Sequence, residues 1–600
     1  MKLLKNISLL CTLGLVAAVA VFYSIFYPAH LHYYEQVQMF LFTKAYFADV
    51  AAVPGGLLDY IGRFLTQFFG NTWAGSAIWA MLFGGVFWLS AKNILGDKND
   101  FRVLFLLLPI RYLWIFACDE NAMPGTWLSL IVVLATAILT KKMLSKCEGL
   151  MYWAALAMAA IIAPLLYLIA GPLAVVYAVS IALCELMRGK LITPFVLTLV
   201  AIATPIAMHP HFSIGMKNLL WGVHYFRFAD IMPAHLWVAV ALMIALEIVF
   251  AEKTPFFGKS SNFTRLPYAL AAFALVVLLV FLGVKKNYRP NTEAVMQYDE
   301  WGAKEQWNEI LESSKKRMPI YPGSVANINL ALIMTGQAGD HLFDYYQPGV
   351  HALLPYNKVN YPRPMSCSDI FFKVGWTNLS LRFAFEAKES LPDHDKSARA
   401  YMRLAECHIV RRRYDLAKKY LHALENTLFY NEWAKDMIRL IDTPQAVAEN
   451  PQYGQMQLAK VKEDYFFSAD EMKAMLANYC ATTAHNRVAI DYLLALCLID
   501  KDLDLFEDVF KLSRFVNGAG RIPVIYQQAL AMQWTKSHDT LKDIPYQLDQ
   551  MVVNDMDAFI SSYETVSPQN MQKRFGKTFW YYYMFQETTN ENKDSQEATS

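Results

Sequence analysis

The stretch that decides the fold is residues 8–27, which read SLLCTLGLVAAVAVFYSIFY. A helix needs about 20 apolar residues to cross a bilayer, and this run is of that length. Met-Lys-Leu-Leu-Lys precedes it, as in a signal peptide, but further apolar residues follow the small residues Ala18, Val19 and Ala20. The run therefore predicts an uncleaved first transmembrane helix.

More apolar runs follow in the first half of the chain. They lie near residues 73–91, 103–118, 126–140, 151–170, 172–187, 191–208, 233–251 and 266–284. Together with the first run they predict about nine spanning helices within residues 1–284. The composition agrees, since 55% of the 600 residues are hydrophobic and 14% are aromatic.

The positions of Lys and Arg predict the orientation, because cytoplasmic loops carry an excess of positive charge. With the N-terminus inside, the inner segments carry Lys2, Lys5, Lys92, Lys98, Arg102, Lys141, Lys142, Lys146, Arg188, Lys190, Lys253, Lys259 and Arg265. The outer loops carry only Lys44, Arg63, Lys217 and Arg227. This bias predicts an inner-membrane protein with a cytoplasmic N-terminus and with residues 285–600 in the periplasm.

Charge and cysteine content exclude some functions. The formal net charge of +2 offers no electrostatic basis for binding nucleic acid. The 8 cysteines show neither CxxC nor metal-type spacing. Cys367, Cys407, Cys480 and Cys497 are predicted to be core thiols, and a disulfide among them stays open if that half of the chain is exported.

The first outer loop, residues 28–72, places polar residues next to the membrane. Its first part predicts one helix with Glu35 near the start and Asp49 near the end. Pro54, Gly55 and Gly56 then break that helix. After the break, apolar residues recur at helical spacing and predict an amphipathic helix in the membrane plane. Its other face carries Asp59, Arg63, Thr66 and Gln67.

This loop resembles the first outer loop of the C-type (GT-C) membrane glycosyltransferases. The corresponding pieces are Glu35, the stretch PGGLLDYIGRFLTQFFG at 54–70 and the span from Trp73. The resemblance covers roughly residues 1–120 and implies a many-span enzyme that takes sugar from a polyprenyl-phosphate donor. Members of that family usually carry two adjacent acidic residues, whereas Gln36 follows Glu35 here.

The chemistry of such an enzyme suggests roles for five residues. Glu35 and Asp49 are the candidate catalytic carboxylates, since a carboxylate can take a proton from an acceptor hydroxyl. Arg111, Asp119 and Glu120 are the candidate substrate-binding residues, with Arg111 suited to a phosphate. No metal site is assigned, although a carboxylate could instead hold a divalent cation.

Each of these assignments has a structural alternative. Arg111 lies inside an apolar run, where a charge marks a functional site or an ion pair, here with Asp119 or Glu120. Glu35 could be a carboxylate at a helix N-terminus, where the helix dipole favours negative charge.

The second half of the chain is polar and helical in pattern. Residues 285–300 are predicted to be a linker, residues 301–584 a helical domain and residues 585–600 a disordered tail. The stretch ARAYMRLAECHIVRRRYDLAKKYLHAL at 398–424 resembles a tetratricopeptide helix pair, and weaker matches lie near 327–345, 485–512 and 520–532. This resemblance implies a concave surface for a protein or peptide partner. The alternative is a plain helical domain.

The whole chain is also similar to an uncharacterised group of long Bacteroidota membrane proteins, through YYEQVQMFLFTKAYFADVAAVPGG at 33–56 and the repeat-like second half. The expected fold is all-α, a polytopic membrane domain followed by a tetratricopeptide-like α-solenoid. The first functional hypothesis is a GT-C-like glycosyltransferase. The second is a membrane-anchored scaffold whose repeats bind protein partners, and a transporter ranks third because the spans are mostly plain.

Overall fold

The computed structural model describes residues 7–96, 101–250, 266–353, 363–392, 395–458, 471–483, 486–517 and 520–586. Within these ranges the chain is helical, and the one strand-type bridge joins Ala122 and Phe226. The predicted all-α class is therefore confirmed. The chain divides into an N-terminal unit (Met1–Glu293, Pro392–Asp395, Asn426–Phe429) and a C-terminal unit (Ala294–Leu391, Lys396–Glu425, Tyr430–Ser600).

Most helices of the N-terminal unit lie in the predicted apolar runs, and the others lie in the loops between those runs. They are α1 (Ile7–Val21, continued by a π-helical turn at Phe22–Phe26), α2 (Pro28–Gln36), α3 (Lys44–Ala51), α4 (Gly56–Thr66), α5 (Thr72–Leu95), α6 (Leu107–Ala117), α7 (Gly125–Lys146), α8 (Gly149–Ala170), α9 (Ala174–Met187), α10 (Ile192–Met208), α11 (Met216–Trp221), α12 (Ala234–Val249) and α13 (Leu266–Asn287). Short 3₁₀ helices lie at Gln67–Gly70, Phe101–Leu106, Gly171–Leu173 and His209–His211.

Among the described residues, 5 helical stretches are long and apolar enough to cross a membrane. They are Ile7–Phe26, Thr72–Leu95, Gly125–Lys146, Gly149–Met187 and Ile192–His211. The fourth is 39 residues long because it joins α8 to α9 through the turn at Gly171. Length and composition thus confirm membrane-type helices, and the count of nine spans stays a prediction.

Large apolar side chains cover the outside of this unit. Leu150 on α8 is 85% exposed, and Ile161, Phe195 and Ile202 are also exposed. Soluble proteins rarely expose so many large apolar residues together, whereas lipid solvates them without cost. The surface of the unit therefore suits a bilayer.

Stacked aromatic rings form part of the core of the N-terminal unit. The ring of Tyr23 stacks on Trp79 with centroids 5.6 Å apart, and Trp79 meets the edge of Trp127 at 4.7 Å. Phe116 also stacks on Trp127, with centroids 5.5 Å apart. Because these rings come from α1, α5, α6 and α7, their contacts hold four helices together.

A polar group ties helices together elsewhere in the unit. Lys141 on α7 pairs with Glu247 on α12, and Ser180 on α9 donates to the same carboxylate at 2.8 Å. Asn93 on α5 donates to Ser180 at 2.8 Å. Each charge here has partners, so these polar contacts link α5, α7, α9 and α12.

The C-terminal unit is built from shorter helices. They are α14 (Pro290–Ala303, whose first residues belong to the N-terminal unit), α15 (Trp307–Lys316), α16 (Pro322–Met334), α17 (Ala338–His341), α18 (Arg363–Val374), α19 (Thr377–Glu389), α20 (Ala398–Val410), α21 (Tyr414–Leu424), α22 (Asn431–Ile441), α23 (Pro444–Glu449), α24 (Tyr453–Leu458), α25 (Met472–Thr482), α26 (Arg487–Ile499), α27 (Leu503–Asn517), α28 (Val524–Thr535), α29 (Gln550–Tyr563), α30 (Pro568–Phe575) and α31 (Phe579–Phe585). Short 3₁₀ helices lie at Leu342–Asp344 and Gly349–Ala352.

Helices α20 and α21 lie where the sequence predicts its clearest helix pair. Leu404, Ala405, Ala417 and Leu421 are buried, and the connection turns at Arg412 with a φ of 59°. The alanines let the two helices approach closely while the leucines fill the space between them. Whether these pairs form tetratricopeptide-type repeats stays a prediction.

Several smaller predictions concern this half. Residues 285–300 are largely helical, because α13 ends at Asn287 and α14 begins at Pro290. Cys367, Cys407, Cys480 and Cys497 are free, buried thiols. Burial raises the pKa of Cys407 and of Cys480 to about 12, so both stay protonated at neutral pH. Most of the predicted tail, residues 587–600, lies outside the described residues.

Candidate functional site

The part of the first loop before Pro54 contains two helices, whereas the sequence predicts one. Helix α2 ends at Gln36, and α3 begins at Lys44, so the predicted single helix from Glu35 to Asp49 is wrong. Thr43 starts the second helix, since its hydroxyl accepts a hydrogen bond from the Tyr46 N–H at 3.2 Å. The signal for an N-cap was therefore present in the sequence.

Glu35 lies in the last turn of α2, so it is not a carboxylate at a helix N-terminus, and that alternative is wrong. The carboxylate at the N-terminus of α2 is that of Glu293, which accepts the N–H groups of Ala29 at 2.6 Å and His30 at 3.0 Å. The half-buried Glu35 faces Gly70, since a Cβ added at that glycine would lie 3.8 Å from the Glu35 Cγ.

Asp49, the other catalytic candidate, and Arg111, the arginine inside an apolar run, line none of the main cavities among the described residues. Asp49 is exposed on α3. Arg111 is on α6, with its guanidinium 5.2 Å from the ring of Tyr112 and packed against Gly283 of α13. Within the described part of the chain its Nε is buried without a hydrogen-bond partner. Its expected ion pair with Asp119 or Glu120 is not formed.

Asp119 and Glu120 pair with Arg289 instead. The Arg289 Nη2 lies 3.6 Å from Asp119 Oδ2, and its Nη1 lies 3.3 Å from Glu120 Oε2. Burial, and then the charge of Asp119, raises the pKa of the Glu120 carboxyl. Tyr34 on α2 holds this turn in place by donating to the Asp119 carbonyl at 2.8 Å. The two predicted substrate-binding carboxylates are therefore together.

Two cavities flank the C-terminal end of α13. The larger, here called the apolar groove, has a volume of about 840 Å³ and runs between α1, α6 and α13. It is lined by carbon-rich side chains that include Phe22, Leu107 and Trp114, with Lys285 and Tyr288 at one end. Because exposed residues such as Phe281 also line it, the groove is open to its surroundings.

The smaller cavity, here called the polar chamber, has a volume of about 210 Å³. Asp119, His235, Asn287 and Arg289 bring charged and polar groups to it. That volume equals the share of about seven water molecules in the liquid, so a small polar group fits. The apolar groove and the polar chamber therefore both adjoin the C-terminal end of α13.

A second polar arrangement, here called the ionic cluster, was missed by sequence reasoning. It consists of Asp59, Arg63, His224, Arg227 and Asp395. Asp59 Oδ2 accepts from Arg63 Nε at 2.6 Å and lies 3.4 Å from His224 Nδ1. The Asp395 carboxylate joins Arg63 to Arg227, whose Nη1 is 3.3 Å away. All five side chains are largely buried.

The cluster exists because α4 is oriented opposite to an ordinary surface helix. Its polar residues Asp59 and Arg63 are 1% and 6% exposed, whereas its apolar Leu57 and Ile61 are 37% and 40% exposed. Gly62 allows this arrangement, since a Cβ there would lie 2.5 Å from the backbone nitrogen of Gly125 on α7. The predicted amphipathic helix therefore presents its polar face to the protein.

Two histidines in this region, the buried His30 and the largely buried His224, stay neutral at neutral pH. Burial, reinforced by the charge of Arg289, lowers the pKa of His30 to about 3. Burial also lowers the pKa of His224, although the neighbouring Asp59 opposes that shift. At neutral pH the ionic cluster thus contains two positive and two negative side chains.

Some of these residues could have been found in the sequence. Asp59 and Arg63 are four residues apart on an otherwise apolar helix, which is the spacing of an ion pair. Arg227 is one of the few cations in the predicted outer loops. Asp395 gave no signal, because only tertiary structure brings it to a helix more than 300 residues earlier. Among the described residues, no group of three or more His, Cys, Asp and Glu side chains is placed to hold a metal ion.

Fold and site together define an all-helical protein with membrane-type helices and a separate helical unit. The model of a family of unknown function (DUF6057) matches residues 2–586, so the chain belongs to that family. The comparisons with curated proteins and with solved structures found no match. Membership in an uncharacterised family is thus confirmed, while the resemblances to a Bacteroidota group, to GT-C enzymes and to tetratricopeptide repeats stay predictions.

Proposed function

We propose that this protein is a membrane-embedded, GT-C-like glycosyltransferase that uses a polyprenyl-phosphate sugar donor. The observation that supports this function is that the C-terminal end of α13 lines the apolar groove while its last residue, Asn287, and Arg289, which follows shortly after, line the polar chamber. A lipid-linked substrate has an apolar chain and a charged head, and the groove suits the chain while the chamber suits the head.

The residues at this place have the chemistry that the reaction needs. Arg289 presents a guanidinium to the chamber, and such a group binds phosphate through two parallel hydrogen bonds. Asp119 lines the same chamber and can accept a proton from an acceptor hydroxyl. Arg111 shares a face of α6 with Leu107 and Trp114 of the groove, which suits it to a phosphate entering from that side. Glu35 stays a second candidate base, and Asp49 has no part in this assignment.

The proposal includes the finer points of topology. We place about nine spans in the inner membrane, with the N-terminus in the cytoplasm and the C-terminal unit in the periplasm, on the basis of the Lys and Arg distribution. The reaction then takes place at the outer membrane face. The helix pairs of the C-terminal unit, as tetratricopeptide-like repeats, would hold a protein or peptide that carries or delivers the acceptor.

Mass spectrometry of envelope glycans and glycolipids tests this function. The strains are a deletion, the deletion with wild type, and the deletion with Asp119→Asn, Glu35→Gln or Asp49→Asn at matched protein levels. We expect deletion to remove one sugar-bearing species that Asp119→Asn fails to restore and Asp49→Asn restores. Restoration by Asp119→Asn but not by Glu35→Gln would move the base to α2. If deletion leaves the glycan and glycolipid profile unchanged, the proposed glycosyltransferase function is overturned.

The second candidate function is a membrane-anchored scaffold for envelope assembly. It is favoured by one observation, that Glu35, Asp49 and Arg111 line neither the groove nor the chamber. Under this function the C-terminal unit alone carries the activity through its protein partners. A variant with all three residues and Asp119 neutralised would then complement a deletion fully, which the enzyme would not allow.

A further inference from the structure

Arg227 in the ionic cluster has an unused hydrogen-bonding edge. The residue is 1% exposed, and its Nη1 contacts Asp395 at 3.3 Å and the Val37 carbonyl at 3.4 Å. Its Nε and Nη2, by contrast, have no partner among the residues that the structure describes. These two N–H groups form the side of the guanidinium that binds an oxyanion in parallel hydrogen bonds. Leaving them buried and unpaired costs free energy, which points to a ligand.

Gln38, one residue after the Val37 that contacts Arg227, has the same property. Its side chain is 1% exposed, and neither its amide oxygen nor its amide nitrogen has a hydrogen-bond partner in the described ranges. It follows Val37, whose carbonyl accepts from Arg227, in the chain. An amide can both donate to an oxyanion and accept from its hydroxyl.

The carboxylate of Asp395, which is distant in the chain, already pairs with both Arg63 and Arg227. Asp395 belongs to the short segment Pro392–Asp395, and its Oδ1 accepts from Arg63 Nη1 while its Oδ2 contacts Arg227. With Asp395 in place, Asp59 and Asp395 balance Arg63 and Arg227. Another buried anion would add an uncompensated charge, so an external anion can enter only by replacing Asp395.

We propose that Arg63 and Arg227 form a binding site for a phosphate group, and that Asp395 is its internal occupant, which the phosphate displaces. The free edge of Arg227 and the amide of Gln38 then complete the binding of the phosphate oxygens. Displacement by a singly charged phosphate, such as the inorganic monoanion or a phosphodiester, keeps the charge of the cluster balanced. The proposal goes beyond the assignment at the polar chamber and holds whether or not that chamber is catalytic.

Thermal unfolding of the full chain in detergent tests the site. Asp395→Asn removes the internal occupant, so its midpoint in chloride should fall below that of wild type. Inorganic phosphate at matched ionic strength should raise the midpoint of Asp395→Asn by about 2–5 °C, about three times its effect on wild type. Asp395→Asn combined with Arg227→Gln should not respond. Equal responses of these proteins to phosphate and chloride would overturn the site.

A second measurement keeps the native cluster intact, in case the double variant does not fold. Pro392→Cys places a thiol on the segment of Asp395, and phosphate should speed its reaction with a maleimide at least about threefold if the segment leaves. An unchanged rate in phosphate would contradict displacement.

Dodecyl phosphate below its micelle concentration distinguishes the two sources of the phosphate group. A larger effect than that of inorganic phosphate on Asp395→Asn would support a lipid-linked phosphate as the ligand. Equal effects would support the phosphate group alone. No effect of either compound would overturn the proposal.

Discussion

Asp59 and Arg63 form a 2.6 Å ion pair on the buried side of a helix whose Leu57 and Ile61 are exposed. In a soluble protein this orientation would place charges in the core and leucine in water. Next to a bilayer it reverses, because lipid solvates the apolar face while the protein supplies partners for the charges. The orientation of the pair therefore suits a helix whose apolar side meets lipid and whose charged side packs on the protein.

Removal of one member of this pair should destabilise the protein strongly. Arg63→Leu leaves Asp59 and Asp395 buried without that partner, and we expect a loss of about 3 kcal/mol in the free energy of unfolding. Thermal unfolding in detergent measures it. Arg439→Leu is the matched control, because Arg439 and its partner Asp436 are both exposed, and a change within about 0.5 kcal/mol is expected there. Equal effects of the two substitutions would show that the cluster is not buried.

Close packing of α4 on α7 should make Gly62 intolerant of a side chain. Gly62→Ala puts a Cβ 2.5 Å from a backbone nitrogen of Gly125, which cannot move as a side chain could. We expect a loss of about 1–3 kcal/mol. Gly14→Ala on α1 is the control, since no atom lies within 4 Å of its Cβ position. Gly14→Ala should raise the free energy of unfolding by about 0.5–1 kcal/mol, because alanine favours the helix more than glycine does. Losses of similar size in both variants would contradict the close packing at Gly62.

The carboxylate of Glu293 should stabilise α2. Glu293→Gln keeps the size of the side chain but removes the negative charge that accepts the N–H groups of Ala29 and His30. We expect a loss of about 1 kcal/mol, measured as a lower unfolding midpoint. The exposed Glu564→Gln serves as the control. A midpoint equal to that of the control would show that Glu293 does not act on this helix.

The free energy of unfolding should decrease as the pH is lowered below about 6.5. His30 has a pKa lowered to about 3 in the folded protein, so only the unfolded chain takes up a proton there between about 6.5 and 3. Each such histidine lowers stability by up to about 1.4 kcal/mol per pH unit in that window and has no effect above it. The pKa of His224 is lowered too and adds to the slope. Unfolding from pH 8 to pH 5 checks this, and His30→Gln should flatten the curve.

A bulky residue in the apolar groove should displace bound lipid. Ala18 and Val280 line the groove, and Ala18→Trp fills part of its 840 Å³ with an indole ring. Native mass spectrometry of the purified protein should then detect at least about threefold less co-purified lipid. Leu139→Trp is the control, because Leu139 is exposed on α7 outside the groove. The same lipid content in both variants would contradict a lipid-binding groove.

The sequence by itself determined the class of this protein. Runs such as residues 8–27 are apolar over the length of a bilayer, and the pattern of Leu404, Ala405, Ala417 and Leu421 has helical period. Both signals are local, because hydrophobicity and periodicity act within one helix. They predicted an all-helical chain with membrane-type helices, whereas the single helix expected from Glu35 to Asp49 is broken between α2 and α3, where the N-cap Thr43 begins a second helix.

Only the tertiary structure decided which charged residues meet. Asp119 and Glu120 pair with Arg289 rather than with Arg111, and Asp395 reaches Arg63 across a separation of 332 residues. No local signal predicts such pairs, because an ion pair depends on how helices pack and not on their own sequence. The inverted orientation of α4 is decided in the same way, since the small Gly62 and Gly125 let its polar face turn inward.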